Sequence, residues 1–110
     1  IADRSAAERI LPFAQDKGIA VLINMPFGGR RSGNLFPKVR DRALPDWAAQ
    51  AGIGSWAQFF LKYVVSHPAV TCAIPGTTKV AHLADNQGAG RGALPDAELR
   101  RRMEMYWDAA

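Results

Sequence analysis

Ala73-Ile74-Pro75-Gly76-Thr77-Thr78-Lys79 decides how this chain is read. An apolar run from Val70 to Ile74 stops at Pro75-Gly76. Polar, cap-forming residues follow, and a helical pattern then sets in through Val80, Leu83 and Ala84. That sequence of events describes a buried strand, a tight turn and a helix start. The first N–H groups of a helix have no partner within it, and the helix dipole favours negative charge there. The corner is therefore a candidate anion site.

Upstream of the corner, Ser55-Trp56-Ala57-Gln58 reads as a capping box, and Trp56, Phe59, Phe60, Tyr63 and Val64 follow at helical spacing. This aromatic stripe is expected to pack in the core. His67-Pro68 ends the helix, because the residue before proline disfavours the α region, and His67 reads as a capping or surface histidine. Further back, Ile19 to Ile23 is a second continuous apolar run directly after Gly18. Runs of this kind are typical of parallel strands covered on both faces. It ends in the turn-rich Asn24-Met25-Pro26-Phe27-Gly28-Gly29. Before it, Ser5-Ala6-Ala7-Glu8 reads as another capping box, with Pro12 kinking the helix or delaying its regular start and Gly18 closing it.

From Arg30 to Gly54 no period is sustained, a span long for a structureless loop. A short helix around Asp46–Ala51, ended by Gly52, is expected within it. Downstream of the corner a helix is expected over about Lys79–Gln87. Gly88-Ala89-Gly90-Arg91-Gly92 reads as flexible. A last helix starts with Pro95 at its first position and carries Leu99, Met103, Tyr106 and Trp107 on one face.

The order of helix, strand, long loop, helix, strand, helix, helix describes part of an α/β sheet with two parallel strands. It is a poor complete sheet, since both strand edges stay open. With 110 residues and 48% apolar composition, the chain suits one modest domain. It opens on Ile1-Ala2-Asp3-Arg4, without Met or a signal-peptide pattern, and reads as the middle of a longer protein. No apolar run approaches the ~20 residues that span a bilayer. The single cysteine, Cys72, excludes an internal disulfide and a cysteine-based metal site, and its place in the apolar run predicts a buried, inert thiol. The lack of disulfides fits a reducing cytoplasm.

The net charge of +4 suits an anionic ligand without requiring nucleic acid. Arg100-Arg101-Arg102 is the one basic cluster, and it reads as a solvated helix face. A nucleic-acid-binding domain built on it and Arg91 would need interleaved aromatic residues, which are absent.

Ile74-Pro75-Gly76-Thr77-Thr78-Lys79, followed by Asn86, resembles the aldo/keto reductase family, which places a related motif at the end of barrel strand 8. Gly18 to Gly29 resembles the family's strand 7 and its Pro-Leu-Gly loop. Ser55–Pro68, with Val70 after it, resembles the helix and lead-in to strand 8, and Ile1-Ala2-Asp3-Arg4 resembles the segment after strand 6. The order and spacing of the four pieces carry the likeness over nearly the whole chain.

The resemblance implies a partial (β/α)8 TIM barrel, with residues 1–110 covering strands 7 and 8, their helices and a C-terminal helix. A whole barrel takes about 250 residues. It further implies an NADP-dependent oxidoreductase of aldehydes and ketones, with NAD as an alternative cofactor. The family's catalytic Asp, Tyr, Lys and His belong to earlier strands and match nothing here, so the chain alone is expected to be inactive. By position, Met25, Pro26, Phe27 and Gly28 match the loop on the pyrophosphate and nicotinamide ribose. Gly76, Thr77, Thr78 and Lys79 match the segment around the adenosine 2′-phosphate, and His82, Asp85 and Asn86 match helix positions at the adenine end. Met25 replaces a frequent Ser, and His82 stands where some members use Arg, which weakens a phosphate clamp. The open edges also allow a different reading, an assembly module that associates with itself or with the N-terminal part of its protein. No nucleic acid, membrane or metal partner is expected.

Overall fold

The two apolar runs pair as parallel strands, β1 (Leu22–Asn24) and β2 (Cys72–Ile74), with Leu22 opposite Cys72, Ile23 opposite Ala73 and Asn24 opposite Ile74. A computed structural model describes residues 1–109. Around the strands lie helices α1 (Ile10–Lys17), α2 (Trp56–Val65), α3 (Val80–Gly88) and α4 (Ala97–Asp108), with 3₁₀ turns at Ser5–Ala7 and Phe36–Val39.

Gly18 ends α1 in the left-handed region (φ 66°), as expected of a closing glycine. Ile19 N–H donates to the Ala14 carbonyl at 2.8 Å and Gly18 N–H to that of Gln15, which satisfies two orphan carbonyls and turns the chain into β1. The amino-terminal end differs from expectation. Ser5 caps nothing: its N–H and Oγ both donate to Asp3 Oδ1, and regular helix starts only at Ile10. Pro12 then occupies the third helical position, where an N–H would have had no partner in any case. The proline delays the helix without kinking it.

Helix α2 is the centre of the core. Ser55 Oγ accepts from Gln58 N–H, the cap read from the sequence, and Phe59, Phe60 and Tyr63 are buried. They pack with Leu35, Val39, Ala48, Ile53 and Met103. Trp56 lies 5.0 Å from Phe59, and Phe60 meets Trp107 edge-on at 5.6 Å. Met103 is fully buried on α4, with Leu99, Tyr106 and Trp107 beside it, so the apolar face of that helix is as expected. Its start is not. Pro95 lies outside the helix, and Asp96 is the cap, accepting from Leu99 N–H at 2.8 Å.

The long segment after β1 is held by side chains rather than by regular structure. Arg42 donates to the Tyr106 carbonyl and lies 4.0 Å over its ring, Trp56 Nε1 donates to the Arg42 carbonyl, and Tyr106 Oη donates to that of Ala43. Residues 46–52 form consecutive hydrogen-bonded turns instead of a regular helix, closed by Gly52 at φ 69°. The glycine-rich segment after α3 is likewise tied down. Lys62, fully buried on α2, donates from Nζ to the carbonyls of Arg91 (2.8 Å) and Ala93 (3.2 Å). Nothing in the spacing of charges marked Lys62 as a core residue.

Coverage of the sheet is one-sided. Ile23 and Ala73 are half-buried, with α2 against β2, whereas Leu22 (58%) and Ile74 (51%) are exposed on the other face. Cys72 is also exposed, contrary to the buried thiol expected from its apolar neighbours. A continuous apolar run predicts cover on both faces, and this chain brings helices to only one.

Candidate functional site at the carboxyl ends of the strands

In a parallel pair the loops leaving both carboxyl ends lie side by side, and that rim is where α/β folds place ligands. Here Asn24 and Ile74 are register partners, so the chain after Asn24 and the chain after Ile74 leave the sheet together.

The first loop is tightly built. Met25 is the one described non-glycine residue in the left-handed region (φ 53°), a strained conformation of the sort that concentrates at functional positions. Gly28 N–H donates to the Met25 carbonyl, Gly33 N–H to that of Gly29, and Leu35 N–H to that of Phe27. Pro26 is buried, while Phe27 is half-buried and lies 5.0 Å from Phe36.

The second loop is open. Gly76, Thr77, Thr78 and Lys79 are all exposed. Thr77 Oγ1 accepts from Lys79 N–H at 3.2 Å, an ordinary local turn. Lys79 itself caps α3 through its backbone with no side-chain bond to the first turn, so the leading N–H groups of that helix are uncapped. On α3, His82 is exposed and Asn86 is buried (8%). Asp85 is committed elsewhere: Ser55 Oγ donates to its Oδ2 at 2.7 Å and Gln58 Nε2 to its Oδ1 at 2.8 Å. Gly88 lets the helices approach, since a Cβ there would meet Gln58 Nε2 at 2.6 Å. The carboxylate thus fastens α3 to the start of α2. The family resemblance matches Asp85 to the adenine end of a cofactor, and a position along one helix carries no sign of a neighbouring helix.

A cavity of about 390 Å³ adjoins the first loop and is lined in part by Met25, Pro26 and Gly28. None of Gly76, Thr77, Thr78, Lys79, His82, Asp85 or Asn86 lines it. The anticipated residues therefore fall into two groups, one on each strand's loop, that share the rim but not this cavity. The cavity has no sequence signature, because residues from five separate segments meet there.

A sequence model of the Aldo/keto reductase family matches residues 1–106. The chain belongs to the aldo/keto reductase family. Comparison with curated proteins finds no match. Family membership supports an oxidoreductase fragment that uses a nicotinamide cofactor, and it implies a (β/α)8 barrel, with which four helices and two parallel strands are consistent as a part. Among the described residues no helix is long and apolar enough to cross a membrane.

The basic cluster on α4 of this aldo/keto reductase chain is not uniformly solvated. Arg101 and Arg102 are exposed, but Arg100 is half-buried, lies 4.2 Å over the Tyr63 ring, and donates to the Tyr63 carbonyl and to Ser66 Oγ (2.8 Å). Tyr63 Oη donates to Glu104, and burial with that bond pushes its pKa up to about 12. His67 sits past the end of α2, where its Nδ1 accepts from Ala69 N–H at 3.0 Å. Burial, and then the charge of Arg100, hold its pKa below the ordinary value. Between the folded and unfolded values the unfolded chain binds more protons, so stability is complete above about pH 6.5 and falls as the pH drops through that window. A His67→Gln variant is expected to flatten this part of the stability–pH curve in urea titrations between pH 7 and 5. An unchanged slope would exclude His67 as its source.

Proposed function

We propose that this chain supplies strands 7 and 8 of a (β/α)8 barrel, with their helices, and with them half of the NADP site of a cytoplasmic enzyme that reduces aldehydes and ketones. The observation that carries this reading is the parallel register, which sets the strained Met25–Gly28 loop beside the uncapped start of α3. The donor set fits the cofactor's phosphates. Free N–H groups, the Thr78 hydroxyl and the Lys79 ammonium suit a 2′-phosphate at a helix N-terminus, and Lys79 favours NADP over NAD. The loop of Met25, Pro26, Phe27 and Gly28 packs on the pyrophosphate and nicotinamide ribose, Gly76 gives the backbone room to approach, and His82 and Asn86 face the adenine end, where an amide offers both a donor and an acceptor. Asp85 acts as a positioning residue through Ser55 and Gln58. The bound cofactor supplies the hydride; the catalytic acid and its partners come from earlier strands, so this chain alone turns nothing over.

The test is a titration of 2′,5′-ADP, followed by NMR. Weak binding is expected, with 5′-AMP weaker still. Lys79→Met should reduce 2′,5′-ADP affinity about tenfold, the loss of one charge-assisted contact, and leave 5′-AMP unchanged. Equal loss for both ligands would detach Lys79 from the 2′-phosphate, and aldehyde turnover by the chain alone would refute its inactivity.

One observation favours a further role as an assembly module. Leu22, Ile74, Val80 and Leu83 are exposed around two open strand edges, a surface that in isolation invites pairing. Association with itself or with the N-terminal part of the protein is expected in sedimentation experiments, and a stable monomer at high concentration would argue against it.

A further inference from the structure

The cavity beside β1 meets the proposed cofactor loop only at Met25, Pro26 and Gly28, and at about 390 Å³ it has the size of a small-molecule site. Leu11, Ile23, Val64 and Val70 give it apolar walls. Ile23 belongs to the half-buried face of the sheet, opposite the exposed Leu22 and Ile74. Its charges are unbalanced: Arg4, Arg30, Arg31 and Arg100 line it against one carboxylate, Asp3, whose Oδ1 is already taken by Ser5.

The arginines are not equivalent. Arg4 forms a two-pronged pair with Asp108, at 2.8 and 3.1 Å. Arg100 has no carboxylate within ion-pair distance among the described residues. Its Nη1 donates only to uncharged oxygens, of Tyr63 and Ser66, and its Nη2 and Nε make no hydrogen bond there. Glu104, whose charge acts on Arg100, already accepts from the Tyr63 hydroxyl, and a half-buried guanidinium with donors to spare gains from a further anion. A second donor stands nearby in the lining. Because His67 Nδ1 accepts from Ala69 N–H, the neutral ring carries its hydrogen on Nε2.

We propose that this cavity binds a small apolar monocarboxylate, with its carboxylate on Arg100 and its hydrocarbon body against Leu11, Ile23, Val64 and Val70. The apolar walls select against a fully hydrated inorganic anion, and the unpaired guanidinium selects against a neutral ligand of the same shape. The site is separate from the proposed 2′-phosphate end, since residues 76–86 do not line it, and it abuts the proposed pyrophosphate loop, since Met25, Pro26 and Gly28 do.

Octanoate is the probe, titrated by calorimetry and NMR beside octanol and inorganic phosphate. Octanoate is expected to bind at least about tenfold more tightly than octanol, the worth of one charged hydrogen bond, and phosphate not to shift the cavity resonances. Arg100→Gln should remove that preference and leave octanol affinity unchanged. If Arg100→Gln fails to fold, Val70→Phe, which fills the cavity, should abolish binding of both ligands in a folded protein. Equal affinity for octanoate and octanol, no binding by octanoate, full binding to Val70→Phe, or displacement of octanoate by 2′,5′-ADP would each overturn the proposal.

Discussion

Replacing Gly28 with alanine should unfold the loop after β1. The backbone there has φ 113°, a conformation that L-residues rarely adopt, and an added Cβ would lie 1.8 Å from the Gly33 carbonyl oxygen and 3.3 Å from Leu35 Cγ. The obstacle is main chain, so no rotamer change relieves it. The loop must open and lose the bonds from Leu35 N–H to Phe27 and from Gly33 N–H to Gly29. Leu35, 2% exposed, would be drawn from the core with it. Strain and lost packing together put the expected destabilisation at roughly 3 kcal/mol or more. Gly33→Ala is the internal control. Gly33 also has positive φ (66°), but nothing lies within 4 Å of its Cβ position, so only the left-handed penalty of about 1–2 kcal/mol applies. Urea denaturation of both variants checks the comparison, and it fails if Gly28→Ala is no less stable than Gly33→Ala.

The second large effect concerns Lys62. Substitution by methionine keeps the aliphatic stem but removes the ammonium, leaving the Arg91 and Ala93 carbonyls without their donor. Hydrogen bonds from a charged donor are worth about 1.5–3 kcal/mol each, and a buried acceptor left unpaired keeps its desolvation penalty. Lys62→Met should therefore lose about 3 kcal/mol, a fall in Tm of roughly 12–24 °C for a domain near this size. Amide exchange should accelerate first in the segment after α3. A variant as stable as the parent would show that water replaces the ammonium there.

Both residues show where sequence reading stops. Gly18, Ser55 and the α4 face were legible because their signals are local: a glycine after a helix, a hydroxyl before one, apolar residues at three- and four-residue spacing. The parallel pairing was legible from two continuous apolar runs separated by a helix. What was missed depends on neighbours distant in sequence. Ser5 donates to Asp3 instead of capping a helix, and the last helix starts after a cap at Asp96 rather than at Pro95. Lys62 is buried because two carbonyls from a later loop reach it. Cys72 is exposed because a run that predicts two covered faces meets helices on one. For the site, the two loops on the rim were legible as motifs, but the commitment of Asp85 to α2 and the cavity beside β1 were not. Each arises from several segments meeting, which no single window of sequence records.

The polar anchors of α2 also set an order of events during synthesis. Gln58 finds its carboxylate 27 residues later, Lys62 its carbonyls 29 and 31 residues later, Tyr63 its partner 41 residues later. A nascent chain that ends before residue 104 can match Gln58 and Lys62 but not Tyr63, and α4 must emerge before all three are satisfied. Until α4 has emerged, the apolar face of α2 lacks part of its cover, the kind of transient exposure that makes incomplete chains prone to association.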